Sequence, residues 1–379
     1  MVFLDNAAKS YLKPPAVRRA VMEARAECAS SGRGGYAATR AAETRVFQTR
    51  HALAELYGLA RPEQVSFAFN ATLALNMAIK GLAGSGHVVI SGFEHNAVAR
   101  PVRALCGEGG FTVAQSPLFD PEAMLRAFDA ALAPGTTLAV CCHVSNVFGF
   151  IAPVEELDAL CYTRGVPLVI DASQSAGLVI PDTARLRATQ FLCMPGHKGL
   201  YGPQGTGVAL HTGSLPCATL IEGGTGSSSA ELTQPEFEPD RFESGTLNIP
   251  GIAGLYEGVR FVQKRTPGRL LAKERMLSFD AIAELRRMPG VRVFAPPEAG
   301  LATGVFSFTI EGWECEDVAA AFASAGIAVR AGLHCAPLAH QSAGSFPGGT
   351  VRVSPGAFTT PGDMENLCRA VRALTRRRP

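Results

Sequence analysis

Pro167-Leu168-Val169-Ile170-Asp171 is an unbroken apolar run that ends on a carboxylate. A short strand without alternation is one buried on both faces, as in a parallel sheet. Working outward, similar runs recur at Val65–Phe69, His87–Ile90, Leu138–Cys142, Gln190–Met194 and Val208–His211. Helical periodicity precedes or separates them, at Pro15–Ala29, Ala42–Tyr57, Leu73–Gly81, Asn96–Cys106, Pro121–Leu132 and Val154–Arg164. This alternation predicts an α/β fold with a mostly parallel sheet covered on both faces. Ligands of such sheets bind beyond the carboxyl ends of the strands. Phe93–His95, His143–Asn146 and Asp171 all fall at those ends.

Past a helix at Ile252–Gln263 the pattern changes. Strands at Val291–Phe294, Val305–Ile310, Ala328–Arg330 and Val351–Val353 mix with helices at Glu316–Ala325 and Pro361–Thr375. A smaller α+β domain is expected there. The predicted division is a large domain over 15–255 and a small one combining 1–14 with 256–379. Residues 223–238, opening Gly223-Gly224-Thr225-Gly226, read as a mobile loop. Arg376-Arg377-Arg378 reads as solvated charge at a helix C-terminus. No internal repeat is seen.

The bulk numbers exclude several classes. The chain has 379 residues, 47% of them hydrophobic, enough for a sizeable core. Its formal net charge of +2 gives no electrostatic reason for a nucleic-acid partner. No apolar run reaches the roughly 18 residues of a membrane span. The N-terminus lacks a signal-peptide pattern. Ten scattered cysteines, without paired Cys-x-x-Cys units, predict reduced thiols in a cytoplasm and no metal site.

The chemistry is carried by a few positions. Lys198 lies in Gly196-His197-Lys198-Gly199, and it alone of the six lysines sits between glycines after a strand. A lysine whose pKa is lowered by burial or a nearby cation becomes a Schiff-base nucleophile. His197 is read as such a neighbour, and as a phosphate donor. Asp171 can be a helix N-cap, or can hold a pyridinium nitrogen protonated. Together Lys198 and Asp171 describe a carrier of pyridoxal phosphate. Ala71 and Thr72 open a helix whose free N–H groups suit a phosphate. His95 reads as a ring-stacking proton shuttle. Cys335 stands in a turn bracketed by Gly332 and Pro337, with His334 and Arg330 as cations that favour thiolate. Arg330 and Arg352 are candidates to clamp a carboxylate.

These residues resemble the class V aminotransferase group of pyridoxal-phosphate enzymes, and within it the cysteine desulfurases and selenocysteine lyases. Phe3-Leu4-Asp5-Asn6-Ala7-Ala8 is similar to that group's opening segment, which implies substrate-side roles for Asn6 and Ala8. Asn70-Ala71-Thr72 resembles its phosphate turn, and Glu94-His95 its stacking histidine. His143-Val144-Ser145-Asn146 resembles the segment whose asparagine lies near cofactor and substrate. Asp171-Ala172-Ser173-Gln174 is similar to the segment that holds the pyridine nitrogen and phenolic oxygen. Ser244-Gly245-Thr246 resembles one that reaches a neighbouring subunit's phosphate, implying a homodimer. Arg330-Ala331-Gly332-Leu333-His334-Cys335 resembles the catalytic-cysteine segment of the short-loop, group II branch, with Arg352 as its carboxylate-binding arginine. Two stretches depart. Pro195 replaces the usual serine of the lysine turn, and Leu338–Val351 resembles an uncharacterised desulfurase-like subgroup instead.

The resemblance implies a fold-type I transferase with a seven-stranded large-domain sheet. It implies conversion of L-cysteine to L-alanine, with a persulfide on Cys335 for an acceptor protein. L-Selenocysteine as substrate is the nearest alternative. A C–S β-lyase or aminotransferase, which would not need Cys335, comes next. A non-catalytic scaffold for a sulfur carrier is the reading from another class.

Overall fold

The computed structural model describes residues 1–32 and 34–376. In chain order the elements are β1 (Val2–Phe3), α1 (Pro15–Glu27), α2 (Ala37–Tyr57), β2 (Val65–Ala68), α3 (Ala71–Ala83), β3 (His87–Ser91), α4 (Asn96–Cys106), β4 (Phe111–Ala114), α5 (Pro121–Ala131), β5 (Thr136–Cys142), α6 (Val154–Arg164), β6 (Leu168–Asp171), β7 (Thr189–Pro195) and β8 (Gly207–His211). Then follow α7 (Ile249–Arg265), α8 (Pro267–Leu285), β9 (Val291–Phe294), β10 (Phe306–Ile310), α9 (Cys315–Ser324), β11 (Ile327–Ala328), β12 (Arg330–Gly332), α10 (Pro337–Ala343), β13 (Thr350–Val353) and α11 (Pro361–Thr375).

Seven strands form the main sheet in the order β2-β8-β7-β6-β5-β3-β4. β7, β6, β5, β3 and β4 run parallel, and only β8 is reversed against its neighbours. Successive side chains of a strand point to opposite faces. Leu168, Ile170 and Leu192 therefore join one core with α2, α5, α6 and α7. Val169, Phe191 and Cys193 join the other, under α3 and α4. Apolar cover on both sides is why these strands carry no polar alternation.

A second sheet, β12-β13-β10-β9, is antiparallel throughout. It packs with α8, α9 and α11 around Phe306, Phe308, Val318 and Leu367. The N-terminal β1 pairs with β11 beside it. The expected boundary at residue 255 falls inside α7, which packs on α1 and α2. The expected single strand Ala328–Arg330 is instead two, β11 and β12, in different sheets. Residues 223–238 form no helix or strand, yet Gln234 Nε2 ties the segment to Ser244 Oγ at 3.0 Å. Of the C-terminal arginines, Arg377 and Arg378 lie outside the described residues.

The register sets up the site. Cys142 pairs with Asp171, and Asp171 with Cys193, so β5 and β6 end level and β7 runs on to Pro195. A Cβ on Gly207 would lie 2.4 Å from the Asn70 carbonyl carbon. Only glycine lets β8 close on the turn that opens α3. The start of β7 is fixed by Asp158 of α6. Its buried carboxylate accepts from the amides of Arg187 (2.7 Å), Ala188 (3.0 Å) and Thr189 (2.7 Å), and from Thr189 Oγ (2.6 Å). Asp158→Ala leaves these buried donors unpaired and is expected to cost about 3 kcal/mol. Urea denaturation reads this as a lowered midpoint at unchanged slope. A loss below about 1 kcal/mol would contradict the clamp.

Candidate active site

The carboxyl ends of β2, β3, β5, β6 and β7 open on one cavity of about 160 Å³. Ala71, Thr72, His95, Asn146, Asp171 and Gln174 line it, together with Pro195, His197 and Lys198. Five separate strand ends thus bring together most of the positions singled out in the sequence. Thr246 lies elsewhere in the single chain. It is exposed and lines a second hollow of about 70 Å³ with Phe69 and Ile221.

Asp171 is buried at the tip of β6, and its Oδ1 accepts from Ser173 N at 2.9 Å. The bland capping reading therefore holds for one oxygen, in a turn rather than a helix. His95 is the N-cap of α4, its Nδ1 accepting from Ala97 N at 3.0 Å. Burial lowers its pKa, with Asp171 opposing and Lys198 adding. A neutral ring with Nδ1 engaged as acceptor carries its proton on Nε2. Gln174 Nε2 donates to the Ala7 carbonyl at 2.9 Å, which ties the N-terminal arm to this wall.

Lys198 keeps part of its surface accessible and lines the cavity. Burial pushes its amine down to about 8, with Asp171 opposing and Arg352 adding. Arg352 itself is buried, not the surface ion pair its type suggests. It donates to Asp5 Oδ1 at 2.5 Å and to the Asn146 carbonyl at 2.9 Å, while its Nε is buried without a partner. Arg330 is exposed on β12. Asn6 Nδ2 donates to the Ser354 carbonyl at 3.0 Å, and Ala8 N to the Asp5 carbonyl at 3.2 Å. Neither Asn6 nor Ala8 lines the cavity.

Cys335 is the one exposed cysteine of the ten. It does not line the cavity but is tied to its rim. Asn146 Nδ2 donates to the His334 carbonyl at 2.9 Å, and Asn96 N to the Cys335 carbonyl at 2.7 Å. His334 and Cys335 are consecutive left-handed residues, with φ of 52° and 56°. Each such non-glycine residue costs about 1–2 kcal/mol, so the surroundings must enforce the turn.

A family model described as Aminotransferase class-V matches residues 2–367. The chain belongs to the class-V aminotransferase family. Among relatives of this class-V member, a probable cysteine desulfurase of Mycolicibacterium paratuberculosis is 30% identical over 384 residues. That match covers 99% of this chain and 55% of the relative. A cysteine desulfurase of Synechococcus elongatus is 32% identical over 341 residues, covering 86% and 52%. The chain spans about half the length of these two relatives. The apo structure of cysteine desulfurase from Thermococcus onnurineus NA1 superimposes with a TM-score of 0.90 at 28% identity, covering 99% and 94%. The class-V member shares this architecture, the fold type I of pyridoxal-phosphate enzymes.

Two expectations about charge are corrected. His197 is not a cation beside Lys198. Burial, with Lys198 and Lys13 adding, pushes it to about 4. Nor does His334 offer Cys335 a positive charge, since burial and then Arg352 push it to about 2. Arg352 is a charge that interacts with Cys335. Two residues escaped the sequence reading. Lys13 donates to Ser10 Oγ at 2.7 Å and to the His197 carbonyl at 3.1 Å, and burial and then Lys9 lower it to about 7. Glu94 is buried behind the cavity, accepting from Cys142 N at 2.7 Å, and burial raises it to about 8. Lys13 had no glycine-rich turn to mark it, and Glu94 was overshadowed by His95.

Lys198 is therefore expected to titrate near pH 8 in the cofactor-free class-V protein. Its ammonium is lost there, while an exposed lysine keeps its charge to about 10.4. Reductive ¹³C-methylation, with Lys198→Arg to assign the signal, measures this by NMR. A midpoint above 10 would contradict the enclosed site.

Proposed function

We propose that the chain is a pyridoxal-phosphate-dependent cysteine desulfurase that converts L-cysteine to L-alanine and leaves the sulfur on Cys335. The observation that carries the reading is one cavity holding a pKa-lowered lysine and a buried aspartate, with the only exposed cysteine tied to its rim.

The residues fit the cofactor. His197 Nδ1 and Asn146 Oδ1 are buried without partners, although both residues line the cavity. Such atoms need a polar ligand. Lys198 would be the covalent anchor. Asp171 would hold the pyridine nitrogen, Gln174 and Asn146 the phenolic oxygen, and His95 would stack on the ring. Ala71, Thr72 and His197 would take the phosphate at the start of α3. Asn70 and Thr72 are exposed there, as are Thr246, Phe69 and Ile221. A second copy of the chain would bury this apolar patch and bring its Thr246 to the phosphate, which supports the homodimer. Ten free thiols fit a reducing compartment such as the cytoplasm. Among the described residues no helix is long and apolar enough to cross a membrane.

Pyridoxal phosphate, when bound, supplies an aldehyde for the substrate amine and a ring that takes up electrons. The chain's own groups do the rest. Near pH 8 a good fraction of Lys198 is neutral, so it can remove the substrate's α-proton. Arg352 would bind the carboxylate, having an N–H to spare at Nε. His95, with its proton on Nε2, would handle protons near the substrate sulfur. The Cys335 thiolate attacks that sulfur. An S–S bond forms as the Cβ–S bond breaks, Cβ takes up a proton, and the α-carbon regains the one it lost, giving alanine. The exposed persulfide is then open to an acceptor protein.

The test is incubation of the purified yellow protein with L-cysteine and, separately, L-selenocysteine. Alanine from cysteine is expected, lost in Cys335→Ala and in Lys198→Ala. Activity on selenocysteine alone, surviving Cys335→Ala, would make the protein a selenocysteine lyase. Pyruvate in place of alanine, or no product, would overturn the desulfurase reading.

A further inference from the structure

Behind Cys335 lies a column of side chains that the reaction above does not use. His334 and His340 are 5% and 0% exposed, and their ring centroids lie 5.6 Å apart with only 13° between the planes. His334 Nε2 lies 3.2 Å from the Arg330 carbonyl. His334 Nδ1 lies 3.4 Å from His340 Nε2, a long contact, and His340 Nδ1 lies 2.8 Å from Ser345 Oγ.

With both rings neutral, only one proton arrangement satisfies this chain. A carbonyl can only accept, so His334 carries its hydrogen on Nε2. In the neutral ring Nδ1 is then an acceptor, so His340 must donate from Nε2. His340 Nδ1 is left as an acceptor, and Ser345 donates its hydroxyl hydrogen. The order is Ser345 to His340 to His334 to the Arg330 carbonyl. A proton added to His334 Nδ1 faces the His340 Nε2–H, whereas one added to His340 Nδ1 would turn Ser345 from donor to acceptor. The groups facing His334 are Arg352 on β13, Arg330 on β12 and His340 on α10. Against His340 stand the Phe148 ring, at 5.6 Å, and Ser345. Burial, and for His334 then Arg352, keeps both rings neutral, His340 at about 4.

The column stands on a braced segment. Ser345 N donates to the His340 carbonyl at 2.9 Å, and Gly349 N to the Ser345 carbonyl at 2.8 Å. Ser342 Oγ donates to the Gly92 carbonyl at 2.9 Å, joining α10 to the loop before His95. The stretch that departs from the group II pattern is thus the stretch that supports the cysteine turn.

We propose that His340 and Ser345 are positioning residues for Cys335. They act through His334, whose ring they lock in one tautomer, so that the left-handed turn presents the thiol in one place. The use of that place rests on the desulfurase reading, but the lock itself does not. It also removes His334 as a base for Cys335, since both ring nitrogens are engaged.

Three variants of the cofactor-loaded enzyme test this, each checked for a native circular-dichroism spectrum. His340→Phe keeps the bulk and loses the donor, His340→Gln keeps a donor, and Ser345→Ala removes the far end. Iodoacetamide labelling of Cys335, followed by peptide mass, should be about tenfold faster in His340→Phe as the turn loosens. In the same variant kcat with cysteine should fall about 10–100-fold with KM little changed. His340→Gln should restore most of both, and Ser345→Ala should show a smaller effect in the same direction. In the wild-type enzyme ¹⁵N-imidazole NMR should show His334 and His340 as Nε2–H tautomers, unchanged from pH 5 to 8. Titration of either ring in that window would overturn the proposal, as would labelling of His340→Phe at the wild-type rate. Equal impairment of His340→Gln and His340→Phe would do the same. Should the wild type form no alanine, the labelling and NMR results still decide the lock, and only the use of Cys335 falls.

Discussion

The structure depends on placing an amine and a carboxylate together in a low-dielectric cavity. Burying either charge alone is costly, and each offsets the other only if the geometry is held. The parallel register of β5, β6 and β7 holds it. Asp171 is paired on both sides at the last position of its strand. Three residues past the end of β7 the chain delivers Lys198 to the same opening. Asp158 fixes where β7 begins, and Gly207 lets β8 close beside it. The amine stays at about 8, below its ordinary value, because burial and Arg352 outweigh Asp171.

Much of this was legible in the sequence. The buried strands announce themselves because both faces must be apolar, and helices between them leave few topologies. What escaped were elements whose burial is partial. β4 is an edge strand whose first three residues all keep accessible surface. α8 hides because Glu274 is buried on its core-facing side, where periodicity expects an apolar residue. Ala328–Arg330 reads as one strand because a sequence cannot show that the chain leaves one sheet and joins another at Val329.

The site residues were legible by type and spacing, but their protonation was not. A histidine beside a lysine or a cysteine looks like a cation on paper. Here the enclosure of His197 and His334 reverses that reading, because desolvation disfavours the charged ring. The arginines, which cannot shed their protons, are left as the fixed charges. Lys13 went unmarked for the same reason: its lowered pKa arises from burial, and then from Lys9.

Lys13 also makes the central claim open to direct contradiction, since two lysines with lowered pKa lie near one cavity. Loading the protein with pyridoxal phosphate, reducing it with borohydride and mapping the labelled peptide separates them. The account predicts a single pyridoxyl group on Lys198 and a protein that stays colourless when Lys198→Ala is treated alike. A label on Lys13, or one spread over several lysines, would contradict it.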